Sequence, residues 1–316
     1  MNIQVKDISN LSKPNVFKSL FQIAFEYILI FSIILFTINF FNVFTALLAI
    51  MLIGARQQSL SAVAHDGVHY RVCKNKKLND FISNIFIYFP LFSSQQKYRT
   101  YHMLHHIKTN SEEDPDYINK KDNPEFKFPQ TKISFFKNVF KYIFGIHHVV
   151  TFFSLNKTWK QKFKYFLKGF TVVRPLEHVK YKEDRRELYS LIAFNVTLLA
   201  FFIITGNVWY YLLFWVCPCF LYIPFIFRIR VICEHFGITK NKIDHSRTMY
   251  PNWFDRIFLG LNWNLSYHLD HHLFPSVPSY NVKKLHQKLL LNKDYRDNAQ
   301  ITSHGTWGVF RECTSL

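Results

Sequence analysis

Between Leu20 and Ala55 the chain carries no lysine or arginine, and between Leu188 and Phe227 it again carries none. The two windows, 36 and 40 residues long, each hold two of the roughly 20-residue apolar stretches that a helix needs to cross a bilayer. Each is interrupted once, at Asn39 to Asn42 and at Gly206 to Asn207, where polar or helix-breaking residues stand inside the apolar run. The pattern predicts an all-α integral membrane protein: four transmembrane helices in two hairpins, at about 20–55 and 188–227. Segments 56–187 and 228–316 then form a helical cap, and residues 1–316 make one domain. The stretches "DFISNIFIYFPLFSS" (Asp80 to Ser94) and "YIFGIHHVVTFFSL" (Tyr142 to Leu155) are too short to span and predict helices at the interface or packed on the cap.

Charge orients this arrangement. Neither turn carries a positive charge, so the 39 basic residues lie on the opposite side. The positive-inside tendency makes that side cytoplasmic, together with both termini, in a bacterial inner membrane or an endoplasmic reticulum. Hydrophobic residues make up 49% of the chain, yet the net charge is +18 and the mean hydropathy is near zero, as suits a protein half in lipid and half in water. No basic helix or nucleic-acid module accompanies the charge, so nucleic acid is not an expected partner, whereas anionic headgroups are. Five cysteines show no metal spacing and no even framework, which points to apolar filling in a reducing compartment. The first apolar run starts late and continues as a full span, unlike a cleaved signal peptide. Glu26, inside the first span, is expected to reach the interface near its cytoplasmic end.

Fifteen histidines are present, and eight fall into three groups: "HDGVH" (His65, His69), "HMLHH" (His102, His105, His106) and "HLDHH" (His268, His271, His272). Helical positions three and four apart share a face, so each group aims its imidazoles one way. Protonated imidazoles would repel one another and neutral ones need a donor or a cation, so the cluster points to metal. His65 lies about ten residues, or roughly 15 Å of continuing helix, beyond the first window. The lone His235 follows the second window at a similar offset, which suggests a ninth ligand. Nine imidazoles exceed one ion and suit two ions with four or five each. No glutamate is followed by histidine three residues on, which excludes the soluble di-iron bundle pattern.

The order H-x-x-x-H, H-x-x-H-H, H-x-x-H-H, interleaved with two apolar hairpins, resembles the membrane fatty acid desaturase and hydroxylase superfamily. The likeness runs from about Leu20 to Leu290. It is carried by "HMLHHIKTNSEEDPD", by "NWNLSYHLDHHLFPSVPSYNVKKLH" with its Leu-Phe-Pro exit, and by "CEHFG" around His235. The resemblance implies a non-haem di-iron centre held by His65, His69, His102, His105, His106, His235, His268, His271 and His272. It implies oxygen as co-substrate and an unactivated C–H bond of a lipid-like substrate as the target. The chain departs from the acyl-CoA branch in its shorter first-box spacing and in Val231, where that branch has asparagine four residues before the lone histidine. It departs from the front-end branch in opening the third box with His268 rather than glutamine.

Asp66, Asp270 and Glu234 sit beside ligands and are candidates to orient them by accepting imidazole N–H groups. Asp114 or Asp116 is expected to stabilise a nearby histidine or arginine, with Glu112 and Glu113 facing water. His147, His148, His178, His245, His286 and His304 read as structural or interfacial, and Lys97, Arg99, Arg228, Arg230 and Arg247 as neighbours of a substrate's polar end. No glycine-rich dinucleotide fingerprint and no Cys-x-x-Cys pair is present, so electrons are expected from a separate ferredoxin-like or haem carrier with its reductase. Dehydrogenation of an acyl chain is the leading reading. Hydroxylation or ketone formation on a lipid, hydrocarbon or terpenoid is the alternative. A metal transporter is remote, since its ligands would lie at the bilayer midplane.

Overall fold

The computed structural model describes residues 5–118, 120–145, 153, 158, 184–238 and 243–315. These are mostly helical. The site is positioned by α1 (Val16–Asn39), α2 (Val43–Val68), α3 (Lys76–Ser83), α4 (Gln95–Lys108), α5 (Arg185–Ile204), α6 (Val208–His235), α7 (Trp253–Phe258), α8 (His268–Leu273) and α9 (Ser279–Leu289). Helices α1, α2, α5 and α6 are each long and apolar enough to cross a membrane.

Both interruptions in the apolar windows are helix boundaries. The first helix stops at Asn39, where the Phe40 N–H closes onto the Phe36 carbonyl, and Asn42 starts the second through a reciprocal cap: its side-chain oxygen accepts from the Thr45 N–H, and its own N–H donates to the Thr45 hydroxyl. Between α5 and α6, Gly206 adopts φ +71°, a left-handed conformation that glycine takes without steric cost.

Helices α2 and α6 outrun the charge-free windows. α2 continues unbroken to Val68 and so carries His65 on the same rod that holds the apolar run. α6 stays helical past Pro218 by two wide turns, Leu212–Val216 and Pro218–Tyr222, and ends on His235. α1 packs on α2, and α2 packs on α6. The outward faces are apolar, with Phe21, Phe31 and Phe36 of α1 exposed and no residue of α5 buried.

Two expectations require correction. Glu26 does not reach the interface: it is wholly buried, 3.5 Å from the Arg56 guanidinium, and accepts from Trp263 Nε1 at 2.8 Å. Arg56 in turn donates to the carbonyls of Arg256 and Ile257 at the end of α7. The segment after α7 closes over this pair; at Gly260, φ +67°, an added Cβ would strike the Ala55 carbonyl of α2. The purely α-helical expectation also omits two parallel two-residue pairings. Gln130–Thr131 pairs with Thr314–Ser315, and Thr248–Met249 with Ile301–Thr302.

The Asp80 to Ser94 stretch forms α3 and a following wide turn, packed on the body through Ile82, Ile87 and Phe89 while Phe81 and Phe86 face outward. Of the Tyr142 to Leu155 stretch, 146–152, 154 and 155 lie outside the described residues, as do His147, His148 and His178.

Candidate metal centre

Four helices deliver nine imidazoles to one place: α2 with its cap residue supplies His65 and His69, α4 supplies His102, His105 and His106, α6 supplies His235, and α8 supplies His268, His271 and His272. They sort into two groups. His65, His69, His102, His106 and His271 form one; His105, His235, His268 and His272 form the other. Within each, one nitrogen per ring lies within 4.8 Å of every other. The α4 triplet is divided, because positions 102 and 106 share a face while 105 is turned towards α6.

The donor set can be tested for fit to a cation from its own hydrogen bonds. Nε2 atoms face one another at 2.9 to 3.2 Å in the pairs His102–His69, His106–His102, His271–His106, His105–His235, His268–His235 and His272–His268. In the four-histidine group three Nδ1 atoms look outward at oxygen. His105 Nδ1 is 2.9 Å from Asp114 Oδ1 and His235 Nδ1 is 3.0 Å from the His245 carbonyl; His272 Nδ1 is 3.5 Å from Asp244 Oδ2. A carbonyl or carboxylate only accepts, so these Nδ1 atoms carry the hydrogen, and Nε2 of a neutral ring presents a lone pair. Converging lone pairs repel unless a cation lies between them. Among the described residues no hydrogen-bond partner meets either nitrogen of buried His65, or Nδ1 of His106 or His268. The residues fit metal ions.

Electrostatics favour the neutral, ligating form. Burial drives the pKa of His102, His106, His268 and His271 down, and neighbouring imidazoles add to the effect. His272 is lowered by burial, partly offset by Asp244. His105 is the exception: burial opposes its charge, but the hydrogen bond to Asp114 and the charges of Asp116 and Asp114 outweigh it and leave its pKa raised.

The acidic neighbours divide. Asp114 accepts from His105, whereas Asp116 binds the Tyr101 hydroxyl and the Lys120 ammonium. Glu234 lies 3.7 Å from His268 Nδ1 but is held by Arg230 at 2.6 Å. Asp66 turns from the rings and accepts from the Ser279 N–H and hydroxyl at the start of α9. Asp270 faces away too, binding Thr248, His286 and Tyr295 at 2.6, 3.1 and 2.8 Å. His286 thus braces α8 through Asp270. Asp244 and the His245 carbonyl were missing from the sequence reading; "IDHS" carries no spacing that ties it to His272 or His235.

A cavity of about 550 Å³ ends on four of the imidazoles, His102, His105, His235 and His268. Its apolar wall includes Ile87, Phe92, Phe220 and Ile223, and Arg228, Arg230, Lys120 and Asp116 line its charged part.

The fatty acid desaturase family model matches residues 42–304, a span that includes all nine histidines. The chain belongs to the fatty acid desaturase family. It is therefore an oxidoreductase. Over 266 residues it is 27% identical to the dihydrorhizobitoxine desaturase of Bradyrhizobium elkanii, covering 83% of this chain and 71% of that one. It is 26% identical over 243 residues to the sn-1 oleoyl-lipid 12-desaturase of Synechocystis, covering 73% of this chain and 64% of the relative. The chloroplastic omega-6 fatty acid desaturase of Spinacia oleracea is 23% identical over 240 residues, 72% of this chain; the chain spans about half that protein's length.

In this desaturase-family chain Arg228 and Arg230 line the cavity, while two other arginines expected at a substrate's polar end are engaged elsewhere. Arg99 binds Asp80 and the Gly67 and Val68 carbonyls. Arg247 is wholly buried, donating to the Ile232, Cys233 and Gly237 carbonyls and to Glu312. It cannot meet a headgroup, because the chain folds back over it between α6 and the C-terminal segment.

Proposed function

We propose that the protein is an oxygen-dependent di-iron desaturase that introduces a double bond into an acyl chain of a membrane lipid. The observation that carries this reading is the convergence of two sets of Nε2 lone pairs at the end of an apolar cavity. His65, His69, His102, His106 and His271 would hold one iron and His105, His235, His268 and His272 the other. When bound, such a pair supplies the oxidising power, with oxygen as co-substrate, to remove hydrogen from an unactivated methylene.

The chain's own residues do the rest. Ile87, Phe92, Phe220 and Ile223 hold a methylene chain by contact alone and keep water from it. Asp114, Asp244 and the His245 carbonyl hold three rings with Nε2 inward.

The four apolar helices would form two membrane hairpins, α1 with α2 and α5 with α6. Their turns then lie on one side and the histidines, both termini and most basic residues on the cytoplasmic side. Residues 1–316 act as one domain. Electrons come from a separate ferredoxin-like or haem carrier and its reductase.

A second reading is dehydrogenation of a smaller polar molecule. It is favoured by the charged part of the cavity, with Arg228, Arg230 and Lys120, and by the Bradyrhizobium relative, whose name refers to dihydrorhizobitoxine and not to a fatty acid. Mass spectrometry of lipids and small metabolites from iron-replete cells with and without the chain tests the proposal. A new double bond in an acyl chain is expected. A product carrying added oxygen and no double bond would move the protein to hydroxylation, and unchanged lipids beside a dehydrogenated small molecule would favour the second reading.

A further inference from the structure

The two imidazole groups differ in what stands behind them. Behind the four-histidine group are carboxylates. Asp114 accepts from His105 at 2.9 Å and is itself locked, its two oxygens taking the backbone N–H of Asn110 at 2.7 Å and of Asp116 at 2.8 Å. Asp244 lies 3.5 Å from His272, and Glu234, its charge offset by Arg230 at 2.6 Å, lies 3.7 Å from His268. Beside the five-histidine group are cations. Arg71 donates to the His69 carbonyl at 2.9 Å, and Arg99 donates to the Val68 and Gly67 carbonyls at 3.0 and 3.1 Å, its charge partly offset by Asp80. Among the described residues none of those five rings hydrogen-bonds a carboxylate.

We propose that Asp114 and Asp244 make the two metal positions unequal, so that the four-histidine position holds the more oxidised ion of a mixed-valence pair. The inference rests on the two-iron reading above. A carboxylate that accepts the outer N–H of a ligating imidazole raises the basicity of its inner nitrogen. Its negative charge, one ring-width from the metal in a buried setting, stabilises the higher charge on the ion. Asp114 and Asp244 touch imidazoles and not metal, and so act as positioning residues. The cavity ends on three rings of the four-histidine group, His105, His235 and His268, and on one of the other, His102. The tuned position is therefore the one that faces the substrate.

The test uses the full chain loaded with iron-57 in detergent micelles or nanodiscs, reduced stepwise with dithionite and followed by Mössbauer spectroscopy. Two iron signals of equal area are expected, one reducing before the other. Asp114→Asn keeps an acceptor and removes the charge, and should narrow the gap by shifting only the signal that reduces last. Asp114→Ala should weaken iron at one position by about 10- to 100-fold and leave the other unchanged. Asp244→Asn gives the same readout from a different loop, should an Asp114 variant fail to fold. Two signals that reduce together in the unaltered protein overturn the inference, as does an equal shift of both in Asp114→Asn. Binding of no iron, or of one ion per chain, overturns the two-iron reading itself.

Discussion

His235 Nε2, at the end of α6, lies 2.9 Å from His268 Nε2, at the start of α8. An isolated histidine on an apolar helix thus closes the four-histidine group between α4 and α8, and the centre depends on how far α6 runs before it stops.

His105→Ala removes one of four rings and leaves the Asp114 carboxylate with only its backbone donors, the N–H groups of Asn110 and Asp116. The variant should still reach the membrane, bind about one iron instead of two, and lose turnover. Elemental analysis of the purified variant checks this, and retention of two irons with normal turnover would remove His105 from the centre.

Ala64 lies beside His65 and lines the cavity. Ala64→Phe should fill the space next to the rings and displace the substrate by an ångström or more, lowering turnover by about 100-fold while iron content stays unchanged. Turnover on a long-chain substrate, measured beside metal content, separates a blocked cavity from a damaged centre.

Glu26 and Arg56 form a buried ion pair between α1 and α2. Removing one partner leaves the other charge buried and uncompensated, so Glu26→Ala should cost about 3 to 5 kcal/mol of stability. Unfolding in detergent checks the size of the effect; a change near zero would mean that Arg56 is satisfied by the Arg256 and Ile257 carbonyls alone.

Stability of the metal-free protein should fall on acidification. The folded-state pKa values of His102, His106, His268 and His271 are depressed, so the unfolded chain takes up protons first as pH drops below about 6.5. His105, whose pKa is raised, works the opposite way: its contribution is present at low pH and lost as pH rises through its folded value. With His272, also lowered, five groups outweigh one. Thermal melting at pH 5 and pH 7.5 reads the sign, and a higher melting point at pH 5 would contradict it.

Reporters placed at Asn42 and Gly206 should appear on the non-cytoplasmic side, and those at Asn110 and Leu316 on the cytoplasmic side. A swap of any one position breaks the double-hairpin arrangement.

The sequence by itself determined what is local and periodic. Two charge-free windows with one break each located four long helices and both turns, at Asn42 and Gly206, because an apolar run and a helix stop are properties of consecutive residues. The histidine spacings likewise put each triplet on one side of its helix, and the similar offsets of His65 and His235 beyond the windows pointed to helices that run on past their apolar stretches, as α2 and α6 do. Only tertiary structure decided how faces meet. Spacing cannot say that His105 leaves its neighbours to join His235, since that depends on the angle between α4 and α6. Nor can it say that Asp270, two residues and roughly 200° around the helix from His268, finds His286 and Tyr295 behind α8. Asp244 reaches His272, Arg247 disappears beneath the C-terminal segment, and Glu26 is sealed in by Arg56 and Trp263. Each of these contacts joins residues far apart in the chain, and long-range packing, which leaves no periodic trace, brought them together.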